Sequence, residues 1–229
     1  MSNKIRNPKD MKTLNQTIFR EYDIRGKYPE DLNPSSIRSI AFSIAKKCKA
    51  ESIDSLVIGR DGRLSGPELI KILEAELNNN GISTENIGVV TSPLLYFAAK
   101  KSATLSGIML TGSHNPKNYN GIKMVINDQP ISGKEIYEGI SSKPSSFNQN
   151  QAVRKNLNVV QTYINEIVNS FSSIHKKIVI DCGNGAAGEI APYLFKKIGC
   201  EVIELFCEID GNFPNHHPDP GKKENLQDL

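Results

Sequence analysis

The sequence predicts an α/β fold: a three-layer α/β/α domain with a mixed sheet, followed by a second domain of the same kind. Short apolar runs typical of buried strands alternate with longer segments whose apolar residues recur at helical spacing. Such alternation is typical of sheets covered by helices on both faces. A polar, proline-containing stretch at 141–151 interrupts it. We therefore expect a flexible N-terminus at 1–16, a first domain at 17–145 and a second at 152–229.

Composition favours a soluble globular chain. Of the 229 residues 23% are charged, and the net charge of +3 is mild beside the clustered basic face typical of nucleic-acid binding. No apolar run approaches the roughly 20 residues of a membrane span, and the first residues lack the apolar segment of a signal peptide. The four cysteines form no C-x-x-C pair. We therefore expect free thiols, a cytoplasmic location and neither nucleic acid nor membrane as partner.

Element boundaries in the first domain come from caps and apolar spacing. Asn33 and Pro34 supply an N-cap and a first helical residue, and Gly81 supplies a helix stop. Between 20 and 25, two arginines and two acids are typical of a solvated turn with local ion pairs. The remaining pattern predicts strands at 56–59, 87–90, 107–110 and 122–126, and helices at 34–48, 67–80, 92–101 and 131–140.

The second domain repeats the alternation around a glycine loop. Gly183-x-Gly185-x-x-Gly188 follows a strand, and Glu204 lies on the next strand, which by itself favours a dinucleotide site. The alternative, a tight strand-to-helix turn, is favoured because a long α/β domain with its own phosphate-type loops comes first. The pattern predicts strands at 177–181 and 202–205, and helices at 159–171 and from the glycine loop to 197.

The most informative stretch is the loop Thr111-Gly112-Ser113-His114-Asn115-Pro116, at the end of the strand 107–110. Three interpretations of it compete: a polar hairpin turn, a hydrolase nucleophile beside a base, and a serine that carries a phosphoryl group. Neighbouring residues in an extended segment point to opposite sides, so His114 is expected to be poorly placed to activate Ser113. No Gly-x-Ser-x-Gly elbow is present. A phosphoryl carrier needs cationic and donor partners more than a strong base.

This loop, with Asn120-Gly121-Ile122-Lys123 after it, resembles the phosphoserine loop of the α-D-phosphohexomutases, the phosphomannomutase/phosphoglucomutase family. Three further stretches agree with that family in order: Phe19–Gly26, Gly59–Arg63 and Asp181–Gly188. The resemblance runs from about Thr17 to the C-terminus. It implies an isomerase that moves a phosphoryl group between the 6- and 1-positions of mannose or glucose phosphate.

The resemblance also implies catalytic roles. Ser113 would carry the phosphoryl group and give it to the hexose monophosphate. Lys123 matches the lysine proposed as general acid or base. Arg25 would stabilise the transferring group, and His114 would hydrogen-bond the sugar or bracket the phosphate.

Three more residues are implied in substrate binding. Tyr22 would position the transferring group, and Asn115 would share the role of His114. Arg60 lies at the carboxyl end of a predicted strand, where ligands bind in α/β sheets. The alternative for Arg60 is an Arg–Asp pair that braces the serine loop.

The metal site of the family is absent from the printed sequence. The resemblance implies Mg²⁺ held by a D-G-D-x-D-R loop, with an oxygen of phosphorylated Ser113 as one ligand and hexose 1,6-bisphosphate as activator. No such loop occurs here, so we expect an incomplete second domain and little or no turnover by the isolated chain. His216 and His217 with Asp219 are better explained as a proline-punctuated loop than as metal ligands, because adjacent positions rarely converge on one ion.

Two alternatives from other functional classes remain open. The first is a non-catalytic fragment or split-gene subunit, which would bind a polypeptide that supplies the remaining domains. The second, less favoured, is a dinucleotide-binding oxidoreductase that uses the loop at Gly183. The loop that selects the sugar in the family has no counterpart here, so the sequence leaves the hexose undetermined.

Overall fold

The computed structural model describes residues 14–140 and 152–229. The predicted linker at 141–151 lies outside these residues, as do the first 13 residues of the predicted N-terminal segment. Within the described ranges no helix is long and apolar enough to cross a membrane.

A mixed sheet forms the centre of the first part of the chain, as predicted. Its strands are β1 (Ile24–Lys27), β2 (Ser55–Arg60), β3 (Ser83–Val89), β4 (Gly107–Leu110), β5 (Tyr119–Ile126), β6 (Gln129–Pro130) and β7 (Arg154–Asn156). The strand order is β1-β5-β4-β2-β3-β7, and β6 pairs with β5. Strands β2, β3, β4 and β7 are parallel, whereas β5 runs antiparallel to both β1 and β4.

Helices cover both faces of this sheet, which confirms the three-layer prediction. They are α1 (Pro34–Ala50), α2 (Gly66–Asn79), α3 (Ser92–Lys101), α4 (Gly133–Ile140), α5 (Val160–Asn169) and α6 (Ala191–Ile198). The layer formed by α1, α2 and α4 packs with Leu56 and Ile58 of β2. The other layer, formed by α3 and α5, packs with Val57 of the same strand. Because β2 is buried on both faces, its sequence is apolar without alternation.

The structure differs from the prediction at both edges of the sheet. Strands β1 and β7 were not predicted, because each is short and carries charged residues. In β7 every residue is exposed, and the strand is held by pairing of Arg154–Asn156 with Thr84–Asn86 of β3. An edge strand paired through its backbone leaves no apolar pattern in the sequence. Although β7 follows the predicted linker, it belongs to the first sheet.

The second sheet is a parallel pair, β8 (Lys177–Asp181) and β9 (Glu201–Leu205). The connection between them differs from the single predicted helix. The glycine loop is followed first by a 3₁₀ helix at Ala186–Glu189 and only then by α6. Gly199 ends α6 with a φ of +106°, a conformation that glycine adopts without strain.

The loop after β9 folds back onto the end of β8. Nε2 of His216 lies 2.9 Å from Oδ2 of Asp181, and Nδ1 lies 3.0 Å from the carbonyl oxygen of His217. Burial disfavours the charged imidazole, but these hydrogen bonds outweigh that effect and raise the pKa of His216. Asp181 also accepts the N–H of Gly183 at 2.8 Å. The ion pair therefore ties this loop to the glycine loop.

The cap of α1 yields a first prediction. The Asn33 side chain accepts the N–H groups of Ser35 and Ser36, and the Ser36 hydroxyl accepts the N–H of Asn33. We expect Asn33→Ala to lower the free energy of unfolding by about 1 kcal/mol, as measured by urea denaturation. Ser35→Ala is the matched control in the same turn. Equal losses in the two variants would contradict a capping role for Asn33.

The His216–Asp181 pair yields a second prediction. A pKa raised in the folded state adds stability below the unfolded value of 6.5, and that stability is lost as the pH rises through the folded pKa. We therefore expect His216→Asn to lower the thermal unfolding midpoint more at about pH 5.5 than at about pH 8.5. Asp181→Asn should follow the same trend, and the double variant should lose less than the sum. A deficit that grew with pH would be the opposite of this expectation.

Candidate active site

The serine loop joins the carboxyl end of β4 to β5. The N–H of Thr111 donates to the carbonyl of Gly121 at 2.9 Å, which continues the β4–β5 pairing to the edge of the loop. Ser113 then adopts a φ of +53°, an uncommon conformation for a residue with a side chain, and is exposed. Its N–H donates to Oγ1 of Thr111 at 2.9 Å. The loop thus presents the Ser113 side chain to solvent on a fixed backbone.

The guanidinium of Arg63 fills the inside of this loop. Nη2 donates to the carbonyls of Ser113 and Asn115 at 2.7 and 2.8 Å. Nη1 donates to the carbonyls of Pro116 and Tyr119 at 2.6 and 2.9 Å. The side chain of Arg63 is completely buried. One planar cation therefore satisfies four carbonyls that would otherwise lack partners.

Asp61 completes this brace from the same β2–α2 loop. Its Oδ2 accepts from Nε of Arg63 at 3.1 Å, from Oγ1 of Thr111 at 2.7 Å and from the N–H of Gly112 at 3.1 Å. Gly112 is the residue that permits this packing, since a Cβ there would overlap the Arg63 guanidinium. Burial lowers the pKa of Arg63, but an arginine stays charged under all ordinary conditions.

The structure corrects the expected orientation of His114. Nδ1 of His114 lies 3.4 Å from Oγ of Ser113, so the two side chains lie on the same side. The alternation argument fails because the positive φ of Ser113 takes the loop out of the extended conformation. At 3.4 Å this is a long hydrogen bond, and it falls short of the tight contact of a nucleophile with its base. Asn115 uses its amide nitrogen within the loop, where it donates to the Gly112 carbonyl at 2.7 Å.

A charged cluster lies on the neighbouring strands β1 and β5. Nη2 of Arg25 lies 2.6 Å from Oδ2 of Asp23, and Nζ of Lys123 lies 3.4 Å from the same oxygen. The register of β1 and β5 explains why Arg25 and Lys123 lie near the same carboxylate. Arg25 pairs with Gly121, and Lys123 lies two residues further along β5 on the same face. The Asp23 side chain is 7% exposed and that of Lys123 is 27% exposed. The side chain of Arg25 is 14% exposed, so the carboxylate is more buried than either cation.

Electrostatics connect this cluster to the serine loop. Burial is the main cause of the lowered pKa of Arg63, and the positive charge of Arg25 lowers it further. Strand pairing gives the same connection, since Gly121 pairs with Arg25 of β1 and its carbonyl accepts the N–H of Thr111, two residues before Ser113. The roles expected for Ser113, His114, Arg25 and Lys123 stay predictions.

Tyr22 and Arg60 are less closely connected to this cluster. Tyr22 is 80% exposed at the turn before β1. Arg60 donates from Nη1 to the carbonyl of Asp61 at 3.0 Å, and burial lowers its pKa. The arginine that braces the serine loop is Arg63, three residues after Arg60.

A cavity of about 190 Å³ separates the serine loop from the second part of the chain. Ser113 and Thr111 line one side, and the other side includes Gly185, Ala186 and Phe213. The ring of Phe213 lies 5.3 Å from the Arg63 guanidinium, a cation–π contact. Beside it, Gly62 packs so closely on Ile209 that a Cβ there would overlap the isoleucine side chain. The two parts of the chain therefore meet at the loop that contains the brace.

The glycines after β8 serve backbone packing. A Cβ on Gly188 would overlap the carbonyl of Cys207, and Gly183 has a φ of +49°. The loop leads into a 3₁₀ helix and not directly into an α-helix, whose N-terminus would bind a pyrophosphate. These observations favour the tight-turn interpretation over a dinucleotide site. Among the described residues, no group of three or more His, Cys, Asp or Glu side chains could hold a metal ion.

Sequence reasoning missed Arg63 and Asp23 as organising residues. The signal for Arg63 was the second arginine of the stretch Arg60-Asp61-Gly62-Arg63, but which of two arginines turns inward depends on tertiary packing. The signal for Asp23 was weaker. It required knowing that Arg25 and Lys123, 98 positions apart by numbering (123 − 25), meet through the pairing of β1 with β5.

Comparison with protein families gives two matches. The model described as phosphoglucomutase/phosphomannomutase alpha/beta/alpha domain I matches residues 16–146, and that for alpha/beta/alpha domain II matches residues 161–229. Together they cover most of the chain.

Individual relatives agree. The phosphomannomutase/phosphoglucomutase of Pseudomonas syringae pv. tomato is 46% identical over 220 residues, which are 94% of this chain and 47% of that protein. The phosphoglucomutase of Neisseria gonorrhoeae is 44% identical over 227 residues, 96% of this chain and 48% of that protein. The chain therefore spans about half the length of these curated relatives.

A solved structure supports the fold. The crystal structure of a phosphoglucomutase/phosphomannomutase family protein from Burkholderia thailandensis superposes with a TM-score of 0.88 at 40% identity. The match covers 94% of this chain and 49% of that one. These findings confirm the resemblance seen in the sequence: the chain belongs to the phosphoglucomutase/phosphomannomutase family and carries its domain I and domain II sequences.

Proposed function

We propose that this chain carries the phosphoryl-accepting half of a phosphohexomutase that acts on mannose or glucose phosphates, with Ser113 as the carrier. The observation that supports it most is the Arg63 brace. A buried cation bound to four loop carbonyls holds an exposed serine in a strained conformation at the edge of a cavity. Contacts that fix the position of one hydroxyl suit phosphoryl transfer, in which positioning dominates catalysis.

The proposed step conserves atoms and charge. Phosphoserine gives its phosphoryl group to the free hydroxyl of a hexose monophosphate, so the Oγ–P bond breaks as the sugar O–P bond forms. The proton of the sugar hydroxyl ends on Oγ of Ser113. After the bisphosphate reorients, Ser113 takes back the other phosphoryl group and the proton returns to the sugar oxygen. A hexose 1,6-bisphosphate can therefore load the serine and act as activator.

The neighbouring residues receive roles that suit their chemistry. Lys123 carries the proton between Ser113 and the sugar oxygen. Arg25 stabilises charge on the transferring group, since a guanidinium binds phosphate oxygens in pairs. His114 donates a hydrogen bond to the phosphoryl group or the sugar, and Tyr22, Asn115 and Arg60 are proposed to contact substrate.

Mg²⁺ is the ion that the family implies, but the described residues do not fit it by themselves. A hard divalent cation needs several oxygen ligands, and no suitable cluster of three or more side chains occurs among the described residues. We therefore derive no step through a metal. Full turnover is proposed only for a protein in which further polypeptide accompanies these residues, either in the same chain or as a partner.

The compartment proposed is the cytoplasm. All four cysteines are free thiols, and the thiol of Cys207 donates to the sulfur of Cys182 at 3.4 Å without a disulfide bond. Free thiols so close together suit a reducing environment.

Phosphorylation of Ser113 is the direct prediction. Incubation of the chain with glucose 1,6-bisphosphate and Mg²⁺ should add about 80 Da, located on Ser113 by peptide mapping. Ser113→Ala should remove the gain, whereas Ser92→Ala, at a serine on the same cavity, should keep it. A folded chain that gains the phosphate elsewhere would rule out Ser113 as carrier, and one that gains none would favour the non-catalytic fragment.

The brace gives a second prediction for the same assay. Arg63→Lys replaces a planar fork by a single ammonium, which cannot reach all four carbonyls. The loss of loop geometry should slow Ser113 phosphorylation by about tenfold to a hundredfold. Arg38→Lys, at an exposed arginine of α1, should leave the rate unchanged. Equal rates for Arg63→Lys and the unaltered chain would show that the brace does not position Ser113.

A further inference from the structure

The charged cluster on β1 and β5 contains one residue to which neither the resemblance nor the proposed function assigns a role, Asp23. Its side chain is 7% exposed, so its carboxylate needs partners inside the protein. Oδ2 has two such partners, Nη2 of Arg25 at 2.6 Å and Nζ of Lys123 at 3.4 Å. Both partners are residues to which the proposed function gives chemical roles.

We propose that Asp23 is the positioning residue of this site, whose carboxylate orients Arg25 and Lys123 together. The inference rests on the proposed function for its catalytic meaning. The pairing of Lys123 with Asp23 can be tested independently of that function.

The first step of the argument concerns geometry. Asp23 lies in the turn between Phe19 and Ile24, which form a bridge that starts the β1 edge. The backbone of this turn is fixed, because the N–H of Arg20 donates to the Asp23 carbonyl and that of Gly133 donates to the Arg20 carbonyl, both at 2.8 Å. A Cβ on Gly133 would come within 2.6 Å of the Asp23 carbonyl oxygen. The backbone that carries the carboxylate is therefore fixed, and both cations contact the same carboxylate oxygen.

The second step concerns charge. Two cations without an anion between them repel each other, and a carboxylate that contacts both offsets this repulsion. Arg63 adds to this positive field, since Arg25 lies near enough to lower the pKa of Arg63. Asp23 is the carboxylate that faces Lys123 within the described residues. Burial raises the pKa of Tyr96 on α3, and the negative charge of Asp23 raises it further.

The third step concerns the phosphoryl group. With Asp23 ionised, the cluster has two positive charges and one negative charge, a net charge of +1. It can attract a phosphate without releasing its own carboxylate, because the contacts with Asp23 use one nitrogen of each cation, whereas an arginine has five N–H donors and a lysine three. The carboxylate that holds the two cations thus leaves them able to bind an anion.

The test is Asp23→Asn, which keeps the shape and removes the charge. The readout is acetylation of individual lysines of the folded chain by acetic anhydride, quantified by mass spectrometry. We expect Lys123 to react about threefold faster or more in Asp23→Asn, because its amine is no longer paired with a carboxylate.

A matched control uses an ion pair elsewhere on the same chain. Lys100 pairs with Asp128 at the surface. Asp128→Asn should speed acetylation of Lys100 and leave Lys123 unchanged, and Asp23→Asn should do the reverse. Circular dichroism confirms that each variant is folded. An unchanged Lys123 rate in folded Asp23→Asn overturns the proposal.

A second readout separates a positioning role from a merely structural one. If the carboxylate of Asp23 orients Arg25 and Lys123, Asp23→Asn slows Ser113 phosphorylation and Asp23→Glu, which restores a carboxylate, recovers part of the rate. Equal rates in the two folded variants would indicate a merely structural role, and this outcome also overturns the proposal. Absence of Ser113 phosphorylation in the unaltered chain would instead be a failure of the proposed function, and the acetylation result alone then decides the role of Asp23.

Discussion

The buried guanidinium of Arg63 is the interaction on which the candidate site depends. A loop that leaves β4 and returns as β5 has several carbonyls pointing inward, and buried carbonyls without partners are costly. Arg63 binds four of them, and Asp61 both balances its charge and binds the other side of the loop. Since Arg63 is completely buried, this geometry cannot relax without exposing or abandoning a charge. The positive φ of Ser113 is thereby maintained by contacts made to its backbone.

Much of the architecture could be predicted from the sequence because it depends on local patterns. The apolar runs of β2 and β4, the cap of α1 at Asn33 and the stop at Gly81 were all visible. The edge strands β1 and β7 were not, since backbone pairing leaves no mark on side-chain pattern. The same distinction applies to the site. The loop at Ser113 was recognisable as a continuous motif, whereas the choice of Arg63 over Arg60 as the brace depends on which side chain the fold turns inward.

The charged residues of this site form two groups with different roles. Arg63 and Asp61 form a buried pair that holds the backbone of the serine loop through hydrogen bonds. Arg25, Lys123 and Asp23 form a second group in which the anion is more buried than Lys123. The contacts with Asp23 use one nitrogen of each cation, whereas an arginine has five N–H donors and a lysine three. The two groups lie close together, since Gly121 pairs with Arg25 and its carbonyl accepts the N–H of Thr111 in the serine loop.

The pairing of β7 with β3 has a consequence for how the chain can be divided. Residues 154–156 follow the predicted linker yet hydrogen-bond to the first sheet through Thr84, Glu85 and Asn86. A protease that cuts within 141–151 would sever the polypeptide, but the two pieces would still share a β-ladder and the contact of Phe213 with Arg63. A fragment that stops before β7 would instead expose the edge of β3, with its unpaired N–H and C=O groups available to another chain. The predicted linker and the end of the first sheet therefore fall at different residues.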